Sequence, residues 1–193
     1  MSQSYELYYK REFVNGKALN ALIGVSFFIL ATALGAYVRI PLKASPVPIT
    51  LQTFFVILSG AVLGKRRGLY SQLGYILLGS MGLPIFQGAA FGMPYLLGPT
   101  GGYLAGFMVA AYVVGRLTDG ASGVGRTLLS FAIGSLVIYA FGISWLVHMY
   151  KVSLIHAISI GILPFIPGDL VKISFAAIIY SRISQRSKSV FSA

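Results

Sequence analysis

The sequence predicts an all-α membrane protein: a six-transmembrane-helix bundle with both termini cytoplasmic and an outward-facing pocket. Three observations predict it. Of the 193 residues, 56% are hydrophobic and only 10% charged, with a mean hydropathy of +0.82, whereas soluble domains carry about 25% charged residues. Six apolar stretches approach the ~20 residues that a spanning helix needs. Lys and Arg gather at alternate ends of those stretches, the asymmetry that orients membrane helices.

Taken in order, residues 1–18 form a polar, aromatic tail. MSQSYELYYKREFVNGK lacks the basic start, short apolar core and small-residue cleavage site of a signal peptide, so a cytosolic tail is expected. The membrane domain is expected over 19–183, with helices at 19–40, 48–64, 68–83, 101–117, 126–149 and 166–183. Between the last two, SLIHAISIGILPF (153–165) is too long for a simple hairpin and is followed closely by Pro167. A short helix or re-entrant piece is expected there, because proline interrupts a continuous helix. Residues 184–193 form a basic cytosolic tail.

With the N-terminus inside, eleven of the fifteen Lys and Arg fall on the inner side: Lys10, Arg11, Lys17, Lys65, Arg66, Arg67, Arg116, Arg126, Arg182, Arg186 and Lys188. Arg39, Lys43 and Lys151 fall outside, and Lys172 lies within a helix. The formal charge of +11 is therefore read as positive-inside bias and not as a nucleic-acid surface. With no cysteine, disulfides and thiolate metal sites are excluded. Inner connections are short and basic or Gly/Ser-rich. The outer ones, RIPLKASPVPITLQT and PIFQGAAFGMPYLLGPTGGY, are long and apolar. Such segments are expected to fold over the helix ends and line a cavity, where irregular backbone is tolerated.

Candidate site residues concentrate on that outer side. Only four acids occur in the chain, Glu6, Glu12, Asp119 and Asp169, and Asp169 sits in LPFIPGDLVKISF with Lys172 three residues on. A charge at mid-bilayer costs ~2.5–3.5 kcal/mol on insertion scales. Arg182 marks the inner helix end, which places Asp169 roughly 20 Å away, near the outer boundary, at ~1.5 Å per residue. There Pro167 starts the helix and the helix dipole favours a carboxylate, while the spacing of three puts Lys172 on the same face. The pair is either a capping acid with a local ion pair or a polar clamp for a ligand carrying N–H donors and a carbonyl or anionic end.

PVPITLQTF (46–54) places Thr50, Gln52 and Thr53 at the outer end of the second helix, for capping and interhelical hydrogen bonds or for a ligand. Gln52 should face inward, since its amide would be wasted on lipid. GPTGGY (98–103), with Gly98 and Gly101, is either a close-packed turn or a place where a ligand approaches backbone N–H groups. Phe86, Gln87, Phe91 and Tyr95 offer the mixture of aromatic walls and few polar groups typical of small-molecule sites. GAVLGKRR is one residue short of a phosphate loop and has Arg66 where Ser or Thr belongs. His148 and His156 have no partner at ligand spacing. No HExxH, GxSxG or paired-carboxylate pattern supports an enzyme, and Trp145 and the tyrosines fit interfacial belts.

IPLKASPVPITLQTF, LLGSMGLPIF, LLGPTGGYLAGF and LPFIPGDLVK, in that order and spacing, make the chain resemble the BioY family, the biotin-binding S components of energy-coupling-factor vitamin transporters. The resemblance spans residues 24 to 183. It implies a bacterial cytoplasmic membrane protein that captures biotin, needs no cofactor, has no ATPase of its own, and works with a transmembrane coupling subunit and ATPase subunits or with fewer partners. It implicates Gln52, Tyr95, Asp169 and Lys172 in the pocket, beside Thr53, Gln87, Gly98 and Gly101. On that reading Asp169 accepts from a ureido N–H, and Lys172 donates to the ureido carbonyl or to the tail carboxylate. The small-xxx-small docking pattern common on the first helix of S components is not at its usual place: Ala31 and Gly35 have the spacing but lie in the outer half. The competing readings are the same fold with another vitamin or heterocycle, a membrane enzyme with an unrecognised site, a channel, and transport by the chain alone.

Overall fold

The computed structural model describes residues 2–120 and 123–191. Its helices are α1 (Ser2–Tyr37), α2 (Gln52–Leu63), α3 (Lys65–Ser80), α4 (Met93–Leu96), α5 (Gly101–Thr118), α6 (Val124–Tyr150), α7 (Leu154–Gly161) and α8 (Ile166–Phe191). Each of the six expected spans carries one of the longer helices, and α7 occupies the expected short piece. The backbone of α1 starts at Ser2, so the N-terminal tail continues the first helix, and α8 likewise runs on through the start of the C-terminal tail. Of the residues used in the charge argument, the side chains of Lys10, Arg11, Arg186 and Lys188 lie outside the described set. So do residues 121–122 of the fourth connection and 192–193 of the C-terminal tail.

A departure from all-α is a small antiparallel ladder, β1 (Arg39–Ile40) with β2 (Ile49–Thr50), pairing Arg39 with Thr50 and Ile40 with Ile49. It closes the first outer loop onto the bundle: the Leu51 N–H donates to the carbonyls of Gly35 and Val38, both at 3.1 Å.

Gly16–Tyr37 and Val124–Tyr150 are long and apolar enough to cross a membrane, and α7 with residues 166–185 of α8, bent by 57°, is apolar enough as a pair to form either a broken span or a re-entrant loop. The remaining long helices are shorter or more polar. α2 has 12 residues, only about 18 Å at ~1.5 Å per residue against a ~30 Å hydrocarbon core. It is bounded by the Pro46–Pro48 approach and by Gly64, whose φ of 80° suits glycine and turns the chain directly into α3.

Burial is inverted relative to a soluble protein. Leu22, Phe27, Leu30 and Leu34 on α1, Leu129 and Leu136 on α6, and Leu170, Phe175 and Ile178 on α8 are exposed, whereas Thr32, Ser59, Ser71 and Gln72 are fully buried. Those four meet in one polar knot between α1, α2 and α3. The Gln72 Nε2 amide donates to Ser59 Oγ at 3.2 Å, Ser71 Oγ at 3.1 Å and Thr32 Oγ1 at 3.4 Å. An apolar solvent leaves such groups no partner except one another, so they turn inward and hold helices together.

α5 packs against α2, α3 and α6 at the centre. A Cβ on Gly60 would lie 2.2 Å from the Ala111 carbonyl oxygen, so the α2 and α5 backbones touch. Ala110, Ala111 and Val114 beside them are wholly buried. The Ala31/Gly35 pair also serves internal packing: a Cβ on Gly35 would meet Gln52 N and Leu51 C at 3.0 Å. Gly35 thus lets α1 close onto the start of α2.

Candidate functional site

The start of α2, the turn into α5, the middle of α6 and the start of α8 converge on a cavity with an empty volume of ≈ 520 Å³, counted to its mouth. Val47 and Pro48 from the first outer loop and Gln87 and Tyr95 from the second cover it. Leu104, Phe107, Ile138 and Phe165 supply apolar wall.

Asp169 and Lys172 lie in this cavity. α8 begins at Ile166, so Asp169 sits in its first turn, with its N–H donating to the Phe165 carbonyl at 2.9 Å. One turn on, Lys172 Nζ donates to Asp169 Oδ1 at 2.7 Å and to Thr53 Oγ1 at 3.1 Å. Thr53 in turn lies 3.5 Å from Asp169 Oδ1, and the Tyr139 phenol donates to Oδ2 at 2.5 Å. The pair is secluded, with side chains 11% and 9% exposed for Lys172 and Asp169.

Counting valences shows what the arrangement can still do. A carboxylate offers about four lone-pair sites and an ammonium three N–H donors. Asp169 uses three, on Lys172, Thr53 and Tyr139, and Lys172 uses two. One acceptor position on Asp169 and one N–H on Lys172 therefore remain, on two residues that line the cavity. Their complement is a planar group carrying an N–H next to a C=O. Hydrogen bonds to charged groups are the stronger ones, and low local dielectric strengthens them further.

Gln52 is buried, as its chemistry requires. Its amide donates to the Tyr75 phenol at 2.8 Å, and its oxygen accepts from Thr50 at 3.1 Å. Thr50 Oγ1 accepts the Gln52 N–H at 3.4 Å, a local cap on α2. Tyr75 donates onward to the Ile85 carbonyl at 3.1 Å. Phe86 stacks on Tyr95 with ring centroids 4.9 Å apart and meets Tyr75 edge-on at 5.5 Å. This ladder of rings fixes the second outer loop. Tyr95 then donates to Gln87 Oε1 at 3.1 Å, and burial pushes its phenol above the ordinary value, so it acts as a neutral donor.

Six of the eight candidate residues, Gln52, Thr53, Gln87, Tyr95, Asp169 and Lys172, line the cavity; Gly98 and Gly101 do not. A Cβ on Gly101 would lie 1.8 Å from the Leu96 carbonyl oxygen, and the Gly98 carbonyl accepts from Trp145 Nε1 at 2.8 Å. Both glycines serve the tight turn that brings α4 over α5.

Sequence reasoning missed Tyr139 and Tyr103. Tyrosines expected in interfacial belts are instead buried at 75, 103, 139 and 180. A hydroxyl with a defined acceptor carries a large ring into an apolar interior: Tyr103 donates to the Gly161 carbonyl at 2.9 Å and Tyr139 to Asp169. No local pattern marks these positions, since each partner comes from a distant helix.

The comparisons agree with this geometry. The chain is 41% identical to the biotin transporter BioY of Thermotoga maritima over 167 residues, covering 86% of this chain and 97% of that protein. It is 39% identical to the biotin transporter BioY of Rhodobacter capsulatus over 181 residues, covering 85% and 92%. Among solved structures it is similar to the crystal structure of the S-component for biotin from an ECF-type ABC transporter. There the TM-score is 0.81 and the identity 25%, covering 89% of this chain and 94% of that one. The pattern of the BioY family matches residues 9–189, nearly the whole chain, and with the relatives' full-length agreement it follows that the chain belongs to the BioY family.

Proposed function

We propose that this protein is the biotin-capturing S component of an energy-coupling-factor importer. The observation that carries the reading is the Asp169–Lys172 pair at 2.7 Å, secluded in a largely apolar cavity with one acceptor and one donor unused. Biotin's ureido ring presents N–H beside C=O, the complement of that pair, with Asp169 taking an N–H and Lys172 donating to the carbonyl. Phe107, Phe165, Leu104 and Val47 supply apolar cover for the thioether ring and tail. Gln52, Thr53, Gln87 and Tyr95 complete the polar contacts, Gln52 and Thr53 partly by holding Tyr75 and Lys172. Gly98 and Gly101 contribute by shaping the turn.

In this reading six helices cross the bacterial cytoplasmic membrane, α7 and α8 serving as one bent crossing and both termini lying inside. The basic residues at the α2–α3 corner and near the ends of α5 and α8 support that orientation. Residues 2–18 and 184–191 are extensions of the terminal helices. The protein is a transporter component and not an enzyme, and its relatives carry transporter names. A coupling subunit and ATPases supply the energy for release.

The test is calorimetric titration of the detergent-purified protein with biotin, thiamine and riboflavin in parallel. Saturable one-site binding of biotin alone is expected. Binding of thiamine or riboflavin in its place, or of none by a folded sample, overturns the assignment.

A further inference from the structure

A second cavity lies at the opposite end of the bundle and plays no part in the capture site. It is lined by the end of α2, the start of α3, the end of α5 and the last turns of α8, with an empty volume of ≈ 1460 Å³ counted to its open mouth. Among the described residues, Lys65, Arg66 and Arg67 line it against a single carboxylate, Asp119.

The three cations are not equivalent. Arg67 donates to the Phe191 carbonyl at 2.6 Å and is committed to the end of α8. Lys65 and Arg66 form no ion pair with any described residue, and neither does Asp119. Apart from Gly64, Gly115, Thr118 and Ser187, the rest of the wall is apolar or aromatic: Ala61, Val62, Leu63, Tyr70, Tyr180 and Phe191. Cationic side chains beside apolar wall, at the corner between two helices of a membrane protein, match a molecule with an anionic head and a hydrocarbon tail.

We infer that this recess binds one anionic phospholipid, its phosphate held by Lys65 and Arg66 and an acyl chain lying along Val62, Leu63 and Tyr180. Charge complementarity separates this occupant from a zwitterionic lipid, whose own cation would face Lys65 and Arg66. The apolar wall separates it from free phosphate, which has nothing to place there. The inference requires only that the chain is a membrane protein and stands apart from the biotin reading.

The test is native mass spectrometry of the intact protein released from detergent doped with phosphatidylglycerol or phosphatidylcholine, with inorganic phosphate and sn-glycerol-3-phosphate as head-only probes. One retained phosphatidylglycerol is expected, at least fivefold favoured over phosphatidylcholine and not displaced by the head-only probes. Lys65→Gln with Arg66→Gln should lower retention at least fivefold, and Lys65→Gln alone partially. Arg116→Gln, an exposed cation at the same end outside the recess, should leave it unchanged. Thermal melting of each variant in the same detergent confirms folding. Equal retention of the two lipids, displacement by phosphate, or an equal loss in Arg116→Gln overturns the site; the last would mean bulk attraction only.

Discussion

Asp169→Asn tests the capture site most directly. The change keeps the side chain's shape and one carbonyl acceptor but removes the charge that Lys172 meets at 2.7 Å. At an effective dielectric of ~20 that attraction is about 6 kcal/mol before desolvation is counted. The net effect on folding is smaller, because both groups left water to form the pair. The Lys172 side chain is only 11% exposed, and an orphaned buried charge costs about 3–5 kcal/mol; Thr53 at 3.1 Å still accepts from it, so the lower end applies. For ligand binding, the variant loses a charge-assisted hydrogen bond worth about 1.5–3 kcal/mol, a rise in the biotin Kd of about 10- to 150-fold. Calorimetry measures the affinity and thermal melting the stability. Adding Lys172→Met separates the two, since it removes the stranded ammonium. Stability should then recover while affinity does not. A folded Asp169→Asn variant that binds biotin within about threefold of the parent would refute the role given to the carboxylate, as would affinity restored in the double variant.

Other outcomes follow from the same contacts. Gln52→Leu strips Tyr75 of a 2.8 Å partner and Thr50 of its acceptor; melting should report a loss of about 1–3 kcal/mol, with a weakened biotin site. Gly60→Ala forces a methyl against the Ala111 carbonyl and should destabilise by at least the ~1–3 kcal/mol typical of overpacking. Gly125→Ala, with nothing within 4 Å, should be neutral or stabilise by ~0.4–1 kcal/mol, which a melting comparison of the pair decides. Tyr103→Phe leaves the Gly161 carbonyl without its phenol donor and should cost about 1–3 kcal/mol. Burial raises the Tyr95 phenol, so its stabilising share is complete below the ordinary value of ~10 and fades as pH climbs through the raised one. The stability gap between wild type and Tyr95→Phe should stay flat up to about pH 10 and shrink above it.

Asp169 and Lys172 were legible because charge in an apolar run is rare and its spacing is local: three residues along a helix fix a shared face without any knowledge of the fold. Gln52 and Thr53 were legible for a similar reason, as amide and hydroxyl groups at the head of an apolar helix. Tyr139 was not. It meets Asp169 from another helix, thirty positions earlier in the chain, and an isolated tyrosine in an apolar stretch looks the same whether it faces headgroups or a carboxylate. The β1–β2 ladder was also invisible, since two residues per strand cannot show an alternating pattern. Helix ends shifted where geometry, not composition, ends a helix: α2 stops at Leu63 because Gly64 turns left-handed.

The contact between Gly60 and Ala111 has a consequence for how cargo could travel. Around that contact, Ile57, Ala110, Ala111, Val114 and Phe131 are at most 1% exposed, so α2, α5 and α6 meet there in closed packing. Interiors packed to this density deform little. If the cavity holds biotin as proposed, this packing closes it on that side, and unloading on the far side of a bilayer requires either that the packing open or that the whole bundle change its attitude.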